Sequence, residues 1–236
     1  MASMGEVQHH YDAGNELFAL FLDHQYRVYS CGVWDGVTTL EAAQEQKLRR
    51  MTDYAGVAAG HSVLDIGCGW GGGLDYCIRT RMCLRAVGLT LSSKQERYIK
   101  ERALAGTEVH LCSYADFRSA ELFDAVISIG ALEHFASLDD YRANRQIEVY
   151  REFFRCCSAL STDAAGLGLQ TIAVGKRPDT MQSRRDTHYL LQRVFPGSVL
   201  PHIGDLLVAA HGYYEPSELR TIGPFFFSSR RRHTRC

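Results

Sequence analysis

Apolar and polar residues recur along the chain with two different periods. Short apolar runs predict β-strands at Ser62–Ile66, Leu84–Leu89, Val109–Ser113, Phe123–Ile129 and Gly168–Val174. Apolar residues at helical spacing predict helices between them, at Gly73–Met82, Ser92–Leu104 and Asp139–Phe154. Strands that alternate with helices in this way form parallel sheets covered on both faces. The pattern therefore predicts an α/β fold with a doubly wound, mostly parallel sheet.

Helical patterns flank this core on both sides. Apolar residues in Gly14–Leu22 predict a short helix, and a capping box of Thr38 and Glu41 starts a longer amphipathic helix. Beyond the last strand, a polar loop precedes two more helical stretches, Thr187–Val194 and Ile203–His211. We divide a single domain, 1–223, into an N-terminal helical cap (1–56), a core (57–175) and a helical insertion (176–212).

The end of the sequence differs in composition from the rest. Residues 224–236 have no periodicity, and four arginines fall within the stretch SSRRRHTRC. We interpret 224–236 as a non-native tail on a chain truncated near Gly223, so that the sheet lacks its C-terminal edge hairpin. A genuine basic tail is the alternative interpretation.

Charge and cysteine usage narrow the classes of function. The net charge is −1, and without the four arginines of the tail it is −5, which disfavours nucleic acid as a partner. The cysteines include no C-x-x-C pair and no zinc-type spacing, so we predict reduced thiols and no metal site. No apolar run approaches the ~20 residues of a membrane span, and no signal-peptide pattern begins the chain. We predict a soluble, cytoplasmic protein with at most peripheral membrane contact.

The stretch VLDIGCGWGG, residues 63–72, places four glycines directly after a predicted buried strand. Glycine permits positive φ and close approach of a ligand, and a helix that starts there offers unpaired N–H groups. The spacing also satisfies part of the dinucleotide motif G-x-G-x-x-G, which leaves a nicotinamide-dependent oxidoreductase open. That hypothesis is disfavoured because the second strand ends in GLTLS, residues 88–92, without the carboxylate that binds a ribose.

Several separated motifs carry a more specific signal. They are HYDAGNELFALFLD (10–23), YSCG (29–32), TLEAAQEQKL (39–48), VLDIGCGWGG (63–72), GLTLSSKQ (88–95), SIGALEHF (128–135) and VFPGSVLP (194–201). With these motifs the sequence resembles the cyclopropane fatty acid synthases and mycolic acid cyclopropane synthases over residues 9–223. The resemblance implies a class I methyltransferase with a Rossmann-like fold that uses S-adenosylmethionine.

The resemblance also implies a set of cofactor-binding residues. They are Tyr29, Ser30, Gly67, Gly69, Thr90, Leu91, Gln95 and Tyr114. Chemistry adds Asp65, which can order the loop N–H groups or accept from the cofactor's ammonium. Asp116 can replace an adenine contact that relatives make at the position of Ala115. For Gln95 a purely structural role is equally open, because Ser92 and Gln95 form a capping-box pattern.

A second implied set serves the reaction. In the family a bound bicarbonate acts as the base, and Cys31, Glu133 and the main chain of Ile129 match its ligands. Gln170 stands where relatives have a histidine, and an amide can hydrogen-bond to an anion but cannot carry its charge. The tyrosine that completes the set in relatives lies beyond the residues that align with Gly223. We expect His134 to be structural.

The leading hypothesis is therefore methyl transfer from S-adenosylmethionine to carbon of an unsaturated lipid-like or polyketide-like acceptor. Aromatic residues around Phe18 and Phe21 and the insertion around Phe195 would line the acceptor pocket, although they could equally be core residues. N-methyl transfer and a non-catalytic cofactor- or lipid-binding role remain open. The sequence predicts no oligomeric state.

Overall fold

The computed structural model describes residues 18, 20–175, 181, 185, 189 and 199–222. Over these residues the strands are β1 (Ser62–Ile66), β2 (Arg85–Thr90), β3 (Thr107–Leu111), β4 (Phe123–Ile129) and β5 (Ser161–Gln170). The helices are α1 (Leu40–Tyr54), α2 (Gly72–Arg79), α3 (Ser93–Arg102), α4 (Leu138–Arg142), α5 (Gln146–Ala159) and α6 (Ile203–Ala210). A short 3-10 turn, Leu132–His134, follows β4.

The described strands form one parallel sheet with the order β3-β2-β1-β4-β5. The order reverses between β1 and β4, since the chain first adds strands on one side of β1 and then crosses to the other. In open α/β sheets, ligands bind at such a switch point, outside the carboxyl ends of the strands. The predicted doubly wound α/β fold is confirmed.

Two apolar clusters lie on opposite faces of the sheet. Because side chains alternate along a strand, Val63 belongs to one cluster and Leu64 to the other. The cluster of Val63 includes residues of α2 and α3, and the cluster of Leu64 includes residues of α5 and α6. Both faces are therefore buried, as expected for a sheet with crossover helices on each side.

The helix α1 packs directly on β5. An added Cβ at Gly168 would lie 2.2 Å from the carbonyl oxygen of Met51, and one at Gly166 would lie 2.8 Å from that of Ala55. Real Cβ atoms do not approach backbone this closely, so these two glycines let the helix and strand meet. This contact holds α1 beside the carboxyl end of β5.

Several predicted boundaries need correction. Thr39, not Thr38, is the N-cap of α1, since its side chain accepts a hydrogen bond from the N–H of Ala42. The single helix predicted at Asp139–Phe154 is two, α4 and α5, separated at Asn144, whose positive φ of 54° an asparagine tolerates. The strand β5 starts at Ser161 rather than Gly168, because the polar residues 161–163 give no apolar alternation that would mark its start.

Some predictions fall outside the described residues. These are most of the Gly14–Leu22 helix, the Thr187–Val194 helix, the Phe195 region and the tail at 224–236. Within the described residues, no helix is long and apolar enough to cross a membrane.

Candidate functional site

A cavity of about 140 Å³ lies at the carboxyl ends of the strands, beside the glycine loop. We call it the loop cavity. Its lining includes these residues singled out from the sequence: Tyr29, Ser30, Asp65, Gly67, Gly69, Thr90, Leu91, Gln95, Tyr114 and Ile129. They come from the segment before α1 and from the ends of β1, β2, β3 and β4. The fold thus gathers at one edge residues that are up to 100 positions apart in the chain.

The glycine loop adopts backbone conformations that only glycine takes without strain. Gly67 has a φ of 82°, and a Cβ there would lie 2.4 Å from the Cβ of Ala131. Gly69 has a φ of 54°, yet a Cβ there would have no protein atom within 4 Å. Gly67 is therefore required by protein packing, while Gly69 opens the backbone to the cavity and leaves room for a ligand.

Asp65, near the end of β1, is buried against the N-terminus of α2. A Cβ at Gly73 would fall within 2.4 Å of its Oδ2, so the missing side chain of Gly73 makes room for the carboxylate. Its Oδ1 is buried and has no hydrogen-bond partner in the described structure. Burial raises the pKa of Asp65 to about 7. A cationic group bound in the cavity would supply the hydrogen-bond partner that Asp65 Oδ1 does not have in the described structure.

The end of β2 forms a compact hydrogen-bonded corner. Thr90 Oγ1 donates to Gln95 Oε1 at 2.7 Å and accepts from the N–H of Ser92 at 3.1 Å. Ser92 is the N-cap of α3 and accepts from the N–H of Gln95 at 3.3 Å. Ser92 therefore caps α3 as the pattern allowed, whereas the side chain of Gln95 bonds to Thr90 and also lines the cavity.

Aromatic rings close the cavity on the side of β3. Tyr114 is buried, and its ring lies 4.7 Å from that of Phe135 and 5.5 Å from that of Phe153, centroid to centroid. Its hydroxyl has no hydrogen-bond partner in the described structure. Asp116 lies apart, since it is exposed and does not line the cavity. The structure thus places Tyr114, but not Asp116, where a planar ligand group could stack.

A second cavity, with a volume of about 1470 Å³, lies between α1, β5 and α6. We call it the wide cavity. Cys31, Glu133 and Gln170 line it, together with apolar residues such as Met51, Leu169 and Leu206. Tyr29, Ser30, Gly130 and His134 line both cavities. The two spaces therefore meet at these four residues.

Glu133 lies in the 3-10 turn after β4, with only 6% of its surface exposed. Thr171 Oγ1 donates to its Oε2 at 2.8 Å, and the N–H of Ile172 also donates to it. Burial raises the pKa of Glu133 despite these bonds. The carboxylate is thus held in place from the end of β5, next to the junction of the cavities.

Gln170 is the last residue of β5 and pairs in register with Ile129 of β4. Its Nε2 donates to the main-chain carbonyl of Cys31 at 3.2 Å, while its Oε1 is buried without a partner in the described structure. The amide therefore fastens the segment of Cys31 to the sheet. Of the four residues implied for the reaction, Cys31, Glu133 and Gln170 line the wide cavity, while Ile129 lines the loop cavity.

Sequence reasoning missed several residues of this region. Thr171 orients Glu133, and its signal was only its position next to Gln170 in the predicted strand Gly168–Val174. His134, which we expect to be structural, also lines both cavities. Lys47 is fully buried beside Ser30, and its signal was a lysine on the apolar face of an amphipathic helix.

Comparisons with known proteins agree with this architecture. The family described as mycolic acid cyclopropane synthetase matches residues 1–214. Cyclopropane mycolic acid synthase 2 of Mycobacterium leprae is 34% identical over 217 residues, which cover 85% of this chain and 68% of that protein. Cyclopropane-fatty-acyl-phospholipid synthase of Escherichia coli is 38% identical over 126 residues, which cover 53% of this chain and 32% of that protein.

Solved structures show the same fold. The cyclopropane synthase MmaA2 of Mycobacterium tuberculosis superposes with a TM-score of 0.85 at 26% identity, over 98% of this chain and 81% of that chain. The synthase CmaA1, solved with SAH and CTAB, superposes with a TM-score of 0.79 at 24% identity, over 98% and 84% of the two chains. With its glycine loop, its switch-point cavity and a family match over residues 1–214, this chain belongs to the mycolic acid cyclopropane synthetase family.

Proposed function

We propose that this chain transfers a methyl group from S-adenosylmethionine to a carbon of an unsaturated, lipid-like acceptor. The observation that carries the proposal is the junction of two unlike cavities at Tyr29, Ser30, Gly130 and His134. The loop cavity has the polar groups and open backbone that suit a nucleoside-containing donor. The wide cavity has the size and apolar lining that suit an acyl chain. The names of the relatives, which are cyclopropane synthases, support this assignment.

The residues of the loop cavity fit S-adenosylmethionine. This group, when bound, supplies a methyl on a positively charged sulfur. Asp65 offers an unpartnered carboxylate oxygen for the ammonium of its amino acid end. Tyr114 offers an aromatic face and an unpartnered hydroxyl, and Gly69 leaves its backbone open to the cavity. These three groups would lie along the ligand from β1 to β3.

Glu133 would stabilise positive charge on the acceptor. Methyl addition to an alkene leaves a carbocation, and a buried carboxylate at the junction of the cavities would lower its energy through Coulomb attraction. Thr171 and Ile172 fix the orientation of Glu133 before the acceptor arrives, so that little reorganisation is needed. The ionised form of Glu133 is the form that performs this role.

Loss of a proton from the cation requires a base, and bicarbonate is the one that the family resemblance implies. Cys31, Glu133 and Gln170 line a common space that could hold it. Gln170 donates one N–H of its Nε2 to the carbonyl of Cys31, which leaves the second N–H and the acceptor Oε1. The N–H suits a charged oxygen of bicarbonate, and Oε1 suits its O–H. A cytoplasmic location belongs to the same proposal. The net charge of −1 supports a lipid rather than a nucleic-acid partner.

The test is methyl transfer itself. The chain is incubated with methyl-labelled S-adenosylmethionine and vesicles of phospholipid with either cis-unsaturated or saturated chains, with and without added bicarbonate. We expect label in the unsaturated chains only, and mass spectrometry of the fatty acids separates a cyclopropane from a methyl branch. Label in an added amine with none in either lipid would replace this proposal with N-methyl transfer. Binding of S-adenosylhomocysteine without transfer to any acceptor would favour a non-catalytic role.

A further inference from the structure

A fully buried lysine lies behind the junction of the two cavities. Lys47 is on α1, is 0% exposed, and places its Nζ 2.5 Å from Ser30 Oγ. It does not line either cavity, so it cannot touch a ligand directly. Ser30, in contrast, lines both. Ser30 is thus the hydrogen-bonded route from Lys47 to the cavities, and the charge of Lys47 also interacts with Cys31.

The neighbourhood of Lys47 is a built polar network. Gln44, one helical turn before Lys47, donates from Nε2 to the carbonyls of Val28 at 3.2 Å and Ser30 at 2.9 Å. Asp23 accepts from the N–H groups of Tyr26 and Val28 and its charge faces Lys47. Gln44 and Lys47 of α1 thus hold the segment of Ser30 through its main-chain carbonyls and through the Ser30 side chain.

The chemistry of an ammonium group fixes the direction of the bond to Ser30. A protonated lysine has three donors and no acceptor, so the hydroxyl oxygen of Ser30 must accept from it. The hydroxyl proton of Ser30 is then available to donate elsewhere. A Cβ at Gly130 would lie 3.4 Å from the Cβ of Ser30, and this shows that Ser30 stands against Gly130, at the junction of the cavities.

Two charged or titratable groups influence the protonation of Lys47. Burial lowers the pKa of Lys47 to about 7, and the carboxylate of Asp23 and the thiol of Cys31 oppose that shift. Below pH 7 the lysine is therefore mainly an ammonium group. An anionic ligand group near Ser30 would favour this form further.

We propose that Lys47 is a positioning residue that, through Ser30, turns the serine hydroxyl into a hydrogen-bond donor for the carboxylate of S-adenosylmethionine. The inference rests on the proposed function, since it names the part of the cofactor that Ser30 meets. A serine that donates to a carboxylate while it accepts from a cation forms a charge-assisted bond, which is stronger than a neutral one. Lys47 would thus support cofactor affinity without contact with the cofactor.

The test uses two ligands that differ in the relevant group. S-Adenosylhomocysteine carries the carboxylate, and 5′-methylthioadenosine lacks the whole amino acid end. Affinities are measured by calorimetry below pH 7 for the unsubstituted chain, Lys47→Met, Ser30→Ala and the double variant. Methionine fills the same buried volume without the ammonium group. Lys100→Met, at an exposed lysine that pairs with Glu96, is the matched control.

We expect Lys47→Met and Ser30→Ala each to weaken S-adenosylhomocysteine roughly tenfold or more, and 5′-methylthioadenosine less than twofold. The double variant should be no weaker than Ser30→Ala, because the lysine acts through the serine. Equal losses for both ligands, or additive losses in the double variant, would overturn the inference in favour of a general structural role. Failure of the unsubstituted chain to bind S-adenosylhomocysteine would instead overturn the proposed function, and the inference with it.

Ser30→Ala keeps the experiment decisive if Lys47→Met does not fold. The serine variant leaves the buried lysine and its partner Asp23 in place, and circular dichroism checks its fold. Loss of affinity for S-adenosylhomocysteine alone in this variant supports the donor role of Ser30. Unchanged affinity for both ligands contradicts it.

Discussion

The side-chain amide of Gln170 donates a hydrogen bond of 3.2 Å to the main-chain carbonyl of Cys31. The bond joins the last residue of β5 to the segment before α1, across 139 positions of the chain. It fixes Cys31 beside Glu133 and the end of the sheet. Gln170 thus ties the Cys31 segment to the end of β5 at the wide cavity.

Gln170→Ala should reduce methyl transfer more than cofactor affinity. The substitution leaves the carbonyl of Cys31 without its donor, which costs about 1 kcal/mol or more of the free energy of unfolding, and it frees the Cys31 segment. Urea unfolding and turnover on unsaturated lipid measure the two effects. Gln46→Ala is the control, because Gln46 also donates to a carbonyl, that of Asp35 at 2.8 Å, but does not line either cavity. Equal turnover in the two variants would contradict a role for Gln170 in the site.

Gly69→Val should abolish cofactor binding. The β-branched side chain is strained at a φ of 54° and would fill space that belongs to the loop cavity. Gly36→Val is a matched control, since Gly36 also has positive φ, 69°, and no atom within 4 Å of an added Cβ, but lies outside both cavities. We expect similar losses of thermal stability and a loss of S-adenosylhomocysteine binding only for Gly69→Val. Retained binding in the folded Gly69→Val variant would place the cofactor elsewhere.

Glu133→Gln should leave cofactor affinity within roughly tenfold, about 1.4 kcal/mol, and sharply reduce turnover. The amide keeps the shape and can still accept from Thr171, but it has no charge to stabilise a cation. Glu101→Gln, at an exposed position near the end of α3, is the control. Unchanged turnover over several unsaturated acyl substrates would remove Glu133 from the chemistry.

The pH dependence of turnover should also reflect Glu133. Because burial raises its pKa, the carboxylate loses its charge at a higher pH than an ordinary glutamate as the solution is acidified. We expect an acidic limb in the turnover profile, with activity falling as pH decreases through the raised pKa. The residual activity of Glu133→Gln should lack this limb. An identical limb in both proteins would assign it to another group.

Asp65→Asn should change how stability depends on pH. The folded pKa of Asp65 is about 7, against ~3.9 in the unfolded chain, so the folded state binds more protons between these values. The contribution of Asp65 to stability is therefore complete below about pH 4 and is lost as pH rises through about 7. Asp65→Asn should flatten this decline in the ligand-free chain.

The measurement for Asp65→Asn is the urea midpoint at several pH values, with and without S-adenosylhomocysteine. The ligand should restore stability at neutral pH in the unsubstituted chain, since its ammonium would compensate the carboxylate, and should bind the variant more weakly. A slope against pH that is the same in both proteins would contradict the protonated state of Asp65.

The sequence by itself determined the fold class and the place of the glycine loop after β1, beside the loop cavity. Apolar runs that alternate with helical spacing predict a parallel sheet because both its faces must be buried, and the sheet of five described strands confirms this. The positions of Gly67, Gly69 and Thr90 at the loop cavity were predictable because local motifs at the ends of β1 and β2 mark them. The family was predictable for the same reason, since its motifs are short stretches of consecutive residues.

Only the tertiary structure decided which distant groups meet. The bonds of Gln170 to Cys31 and of Lys47 to Ser30 join residues 139 and 17 positions apart, and no local pattern encodes them. The early start of β5 was also not predictable, because the polar residues 161–163 give no apolar alternation. Sequence patterns record which face of each element is apolar, whereas hydrogen bonds between elements depend on the register and packing that the whole fold imposes.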